Sequence, residues 1–147
     1  PAIENNDLNV NGVSRWRGTT NVTWRRAAWT AHLGAYYVGP SQDSGATTTA
    51  ALYESLGRPS YIAKHFTGGA YAYRYIMSSS LTYNASLGYR FGADASTWLR
   101  GTRVRFGVVN LADKAPPIGS GGFGYSTGVN QNLISGRTWS LEFTKAF

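Results

Sequence analysis

At 147 residues the chain has about one domain's length, but only 14% of it is charged against a typical ~25%, while Gly (18 residues) and aromatics (14%) are abundant. Cysteine is absent, which excludes disulfides and thiolate metal sites, and no apolar run nears the ~18 residues of a spanning helix; spanning strands, which announce themselves only by alternation, are not excluded. The net charge of +7 suggests nucleic acid, yet the basic residues are scattered singly or in pairs (Arg25-Arg26, Arg103 and Arg105), so no nucleic-acid partner is expected.

Residues 1–15 are polar and Asn-rich and read as a loop or frayed end, beginning abruptly as a fragment would. From Trp16 to Arg25, Val22 and Trp24 stand on the apolar face of an alternating strand. A tight connection at Arg26-Ala27-Ala28 leads into a second strand, where Trp29, Ala31, Leu33, Ala35 and Tyr37 alternate with Thr30, His32, Gly34 and Tyr36; the two make a hairpin. Val38 to about Ala70 is a long link, functional or mobile, with a short helix possible over Thr47 to Leu56. Tyr71 to Phe91 is the longest alternation and reads as one strand, longer than the ~5 to 6 residues usual in soluble sheets.

After the turn at 92–98, Val104, Phe106 and Val108 alternate with Arg103, Arg105 and Gly107. A second long link, Pro116 to Ser135, precedes the closing strand, in which Trp139, Leu141, Phe143 and Phe147 share one face. Glu142 falls on the other face with Arg103 and Arg105, an expected cross-strand charge pair. Lys145 breaks the apolar pattern near the end, where its stem can snorkel toward lipid phosphate. The expectation is therefore all-β: an antiparallel meander of about five long strands, joined by short turn, long loop, short turn, long loop. A soluble sheet with one wet face alternates in the same way. Strand length, aromatic residues near strand ends and the loop asymmetry favour a segment of a transmembrane barrel.

Four motifs in order and spacing, WRGTTNVTWRR from Trp16, LTYNASLGYRF from Leu81, TRVRFGVVNLADKAPP from Thr102 and GRTWSLEFTKAF from Gly136, resemble the C-terminal part of a TonB-dependent outer-membrane receptor. The resemblance covers residues 16–147 and implies the last five strands or so of a 22-stranded barrel in the bacterial outer membrane. It implies active uptake of a scarce nutrient such as a ferric siderophore, cobalamin or a glycan. The implied partners are outer-membrane lipid, the remainder of the barrel and its plug, the TonB complex through that plug, and the nutrient. The barrel-assembly machinery would read the closing strand, with Trp139, Leu141, Phe143 and Phe147 as the signal. Plug and upstream strands are expected before Pro1.

Tyr53, Tyr61, Phe66, Phe123 and Tyr125, on the long links, are the candidate nutrient contacts, because aromatic rings offer large contact area. His32 and His65 are the only imidazoles and no carboxylate cluster joins them, so no metal site is expected; His32 reads as a lumen-facing polar residue. The Gly119–Gly124 run lacks the strand and helix of a phosphate cradle and reads as a mobile outer loop. The sequons at Asn21 and Asn84 fall inside strands and are incidental. No nucleophile-base arrangement or carboxylate pair stands out, so neither enzyme activity nor a cofactor is expected. The competing expectation is a soluble β-sheet module that stacks carbohydrate or single-stranded nucleic acid on the same aromatics. A self-contained barrel would need about eight strands, three more than the alternation supplies.

Overall fold

The computed structural model describes residues 14–67, 69–120 and 134–146. Along these run strands β1 (Arg17–Arg26), β2 (Trp29–Val38) and β3 (Ser41–Thr48), the short helix α1 (Ala50–Ser55), then β4 (Ile62–Thr67), β5 (Ala70–Met77), β6 (Ser80–Arg90), β7 (Thr102–Val109) and β8 (Thr138–Lys145). The chain is all-β, in two antiparallel sheets ordered β1-β2-β6-β7-β8 and β3-β5-β4, neither of which closes on itself. It forms two compact units, one from the described parts of 1–18, 37–80 and 116–131, the other from those of 19–36, 81–115 and 132–147.

The second unit carries the five-stranded sheet that the alternation predicts. Its last three strands are in a register that repeats the sequence period: Ala85, Val108 and Trp139 lie side by side, as do Leu87, Phe106 and Leu141, and Tyr89, Val104 and Phe143. Between these rows, and on the opposite face because successive side chains alternate, lie Ser86–Gly107–Ser140, Gly88–Arg105–Glu142 and Arg90–Arg103–Thr144. A hairpin turn at Ala27-Ala28 joins β1 to β2, Ala27 taking a left-handed φ of 49°. The strands alternate in direction, so the chain leaves β2 and β7 at one end of the sheet and makes its short turns at the other.

Asn110 ends β7. It is 0% exposed, takes φ 55°, and spends its whole amide on the next turn: Lys114 N–H donates to Oδ1 at 2.9 Å while Nδ2 donates to Lys114 C=O at 2.9 Å. Its own N–H donates to Asn84 Oδ1 on β6 at 3.0 Å. Asparagine tolerates the left-handed region better than any other non-glycine residue, and here its side chain also takes over the hydrogen bonding that the strand gives up. Asp113, at φ 52°, accepts from Arg137 N–H at 2.8 Å and so anchors the start of the closing segment.

The first unit corrects the sequence reading in two places. The helix lies within the expected range, capped by Thr49, whose Oγ1 accepts from Leu52 N–H at 3.2 Å. The rest of 39–70 is not an unstructured link, because β3 and β4 flank β5 there. The single strand expected over Tyr71 to Phe91 breaks at Ser78-Ser79, and its halves hydrogen-bond to different partners, β5 to β3 and β4, β6 to β2 and β7. Periodicity is continuous across the break because both halves keep the same apolar parity, although only β5 buries apolar residues: Tyr73 and Met77 join Val38 and Ile62 in the core, while Leu81, Tyr83 and Leu87 of β6 are exposed.

Strand β3 hides from pattern reading for a physical reason. Four of its residues, between Gln42 and Thr47, stand opposite the single Tyr75 of β5, a bulge that frees backbone N–H groups from the ladder. Asp43 collects them. Its buried carboxylate accepts from Gly45 N–H at 2.9 Å, Ala46 N–H at 3.2 Å, Ser120 N–H at 2.6 Å and the Ser120 hydroxyl. Burial pushes the Asp43 pKa up, but the four donors outweigh it and hold the group below the usual 3.8. A depressed carboxyl contributes stability that is fully present above the unfolded pKa and is lost as pH falls through the folded one. Asp43→Asn is therefore expected to lower the urea midpoint at pH 7, by the equivalent of about 2 kcal/mol for lost charge-assisted bonds. The gap to the parent should narrow as the pH drops below about 4; an equal gap at pH 7 and pH 3 would contradict this account.

Candidate functional site

The five-stranded sheet has two faces of opposite chemistry, and both are open. On one face Trp24, Trp29, Leu33, Leu87 and Phe106 are all more than two-fifths exposed, and on the edge strand Trp139, Leu141 and Phe143 reach 55%, 61% and 67%. The rings are ordered against one another: Trp29 and Tyr89 lie 4.6 Å apart, Tyr89 and Phe91 meet edge-on at 4.9 Å, and Phe106 stacks on Trp139 at 5.4 Å. Between them Trp29, Leu87, Phe91 and Val104 wall an almost wholly apolar depression of about 440 Å³. Monomeric soluble proteins seldom expose so continuous an apolar surface. It is not a crowd of stray side chains, since every row of the register contributes to it.

The opposite face is polar and cationic. Arg25 of β1, Arg90 of β6 and Arg103 and Arg105 of β7 surround a groove of about 530 Å³ floored by Gly88 and flanked by Thr30 and His32, and none of its lining residues is acidic. Arg105 donates through Nε and Nη2 to Ser86 Oγ at 3.3 and 3.2 Å. Glu142 does share this face and stands opposite Arg105, as expected, but the charge pair does not form: the guanidinium turns to Ser86, and Glu142 accepts from Thr144 Oγ1 at 3.4 Å. His32 is on the polar face, its Nδ1 2.8 Å from Thr23 Oγ1. Among the described residues no three His, Asp or Glu side chains gather to hold a metal ion.

Comparison with known protein families, curated proteins and solved structures returns no match.

The candidate contact residues of the first unit converge more closely than their spacing suggests. Tyr53 on α1 lies 5.0 Å from Tyr73, Tyr61 stacks parallel to Tyr75 at 6.3 Å, and Phe66 of β4 meets Tyr71 edge-on at 5.1 Å. Each pairs with a different tyrosine of the same parity on β5, and Lys64 Nζ sits 4.2 Å over the Tyr71 ring. Tyr71 and Lys64 were therefore missing from the sequence-derived set. The Tyr-x-Tyr-x-Tyr stripe was the available signal, but it reads as an ordinary strand face until β4 is known to lie beside it. Phe123 and Tyr125 lie outside the described residues.

Of the four closing-strand residues, Trp139, Leu141 and Phe143 stand together on the apolar face of β8, and Phe147 lies outside the described residues. Lys145 is on that face too, but its ammonium donates to the carbonyls of Trp98 at 2.6 Å and Arg100 at 3.0 Å. The lysine thus pins the end of β8 to the β6–β7 turn, and its partners are backbone carbonyls in place of the lipid phosphate that the sequence pattern suggests. No helix among the described residues is long and apolar enough to cross a membrane, a statement that bears on helices alone.

Proposed function

We propose that this chain is the closing segment of an outer-membrane β-barrel of the TonB-dependent receptor type. Its apolar face meets lipid, its cationic face lines the interior, and the whole receptor imports a scarce nutrient such as a ferric siderophore, cobalamin or a glycan without catalysing a reaction. The observation that carries the reading is the continuous, exposed apolar surface of the five-stranded sheet. On β6 and the residue after it, the alternating series from Leu81 to Phe91 spans ten residue steps, about 33 Å at ~3.3 Å per step, or roughly 25 Å along the normal at a ~40° tilt. That matches the ~25 Å apolar band of such barrels. Trp29, Tyr89 and Phe91 gather at the short-turn end, where an interfacial girdle belongs.

Hydrocarbon leaves unpaired backbone groups unsatisfied, and β1 and β8 each have one open edge. In this reading the remaining strands pair with those edges, a plug fills the interior and couples to TonB, and the assembly machinery engages β8 with Phe147. Tyr61, Phe66 and Tyr71, each more than half exposed, are the surfaces offered to the nutrient. Sedimentation of the purified chain tests the assignment. Without detergent it is expected to associate into large species, and in micelles to disperse with its strand content kept, because open edges and apolar faces template association. A detergent-free monomer that unfolds cooperatively would overturn the membrane reading in favour of a soluble module.

A further inference from the structure

We propose that the cationic groove on the polar face binds a soluble anion carrying at least two linked phosphoryl groups. Four arginines from three different strands line the groove, and the guanidinium of one of them, Arg105, also donates to Ser86. Arg90 and Arg103 stand directly opposite each other across β6 and β7, where like charges repel, and among the described residues neither has an ion-pair partner. Two carboxylates border the groove, Glu142 opposite Arg105 and Asp94 against Gly92 at the rim, and among the described residues neither forms an ion pair with its arginines. Such an arrangement is costly when empty and becomes favourable when an anion of matching charge enters.

Geometry selects the class of anion. A planar carboxylate is saturated by one or two guanidinium forks, whereas the tetrahedral oxygens of a phosphoryl group accept from several directions, and forks approaching from β1, β6 and β7 supply several. Four positive charges within one groove call for more negative charge than a single phosphate brings. Its volume, about 530 Å³, lies within the range of small-molecule sites. Gly88 leaves the floor low, so that an anion can settle between Thr30 and Arg105 with no side chain beneath it.

Titration calorimetry on the full chain in uncharged detergent micelles, at 0.15 M salt, tests this with sodium tripolyphosphate, orthophosphate and citrate as probes. Tripolyphosphate is expected to bind at least about tenfold more tightly than either of the others. The double variant R90Q/R103Q should weaken it by about tenfold or more, and should fold at least as stably as the parent, checked by circular dichroism, because it removes a like-charge pair. Arg26→Gln makes the control: one residue on from Arg25 in β1, it lies on the opposite face, and its loss should change binding less than about twofold once salt screens the general charge. Equal binding of tripolyphosphate and orthophosphate, citrate binding as tight as tripolyphosphate, or equal weakening by Arg26→Gln and by the double variant would each overturn the proposal. The outcome is independent of the membrane reading, because the groove lies on the polar face and needs no lipid.

Discussion

Replacing Leu141 by Arg is expected to weaken association of the chain with phosphatidylcholine vesicles by about 30-fold or more, while Ser140→Arg shifts it less than about threefold. The two residues are neighbours on β8 but belong to opposite faces. Leu141 lies in the middle row with Leu87 and Phe106, and Ser140 stands opposite Gly107 in the polar row. An arginine on the lipid face at mid-height costs ~2 to 4 kcal/mol, and each ~1.4 kcal/mol is a factor of ten in partitioning. Arginine on the polar face joins Arg103 and Arg105 in water and loses little hydration. Uncharged vesicles remove the attraction that any added cation would feel for anionic lipid. Flotation or Trp fluorescence reads the partition, and equal effects from the two substitutions would contradict the assignment of lipid to the apolar face.

The second large effect is expected at Asn110, in an order opposite to the usual one for strand residues. Asn110→Ala should destabilise the sheet by about 3 kcal/mol, from two lost hydrogen bonds at ~1 kcal/mol each and ~1 kcal/mol for an alanine held in the left-handed region. Asn110→Gly loses the same bonds without the conformational cost, so about 2 kcal/mol is expected, with glycine the milder change. The physical basis is φ 55° combined with a fully buried amide that closes a ring with both backbone groups of Lys114. Urea titration in micelles reads the order. If alanine proves the milder substitution, the left-handed turn is not what Asn110 is there to support.

Much of the five-stranded sheet is legible in the sequence, and the reason is local. A side-chain period of two assigns each residue to a face whatever the strand pairs with, so the apolar set from Val22 to Phe143 can be read directly, and so can the shared face of Arg103, Arg105 and Glu142. The pairing of β8 with β7 also follows from the pattern, since one register brings all three apolar rows together. What the pattern does not carry is the choice of partner. Backbone hydrogen bonds are the same for every sequence, so nothing in Tyr71 to Phe91 signals that Ser78-Ser79 hands the chain from one sheet to another.

The same limit explains the rest. Asp43 and Ser120 are 77 residues apart, and neither is distinctive until a bulge in β3 leaves amides for the carboxylate to satisfy. Lys145 reads as a cation on an apolar face, and only the folded turn presents the Trp98 and Arg100 carbonyls that receive it. Arg25, Arg90, Arg103 and Arg105 look scattered along the chain and become one groove because the sheet order sets β1, β2, β6 and β7 side by side. Alternation along the chain thus determined which side chains share a face, a property of each strand alone. Tertiary structure decided which strands meet, and with that which charges and rings are neighbours, because those contacts arise only when segments distant in sequence pair.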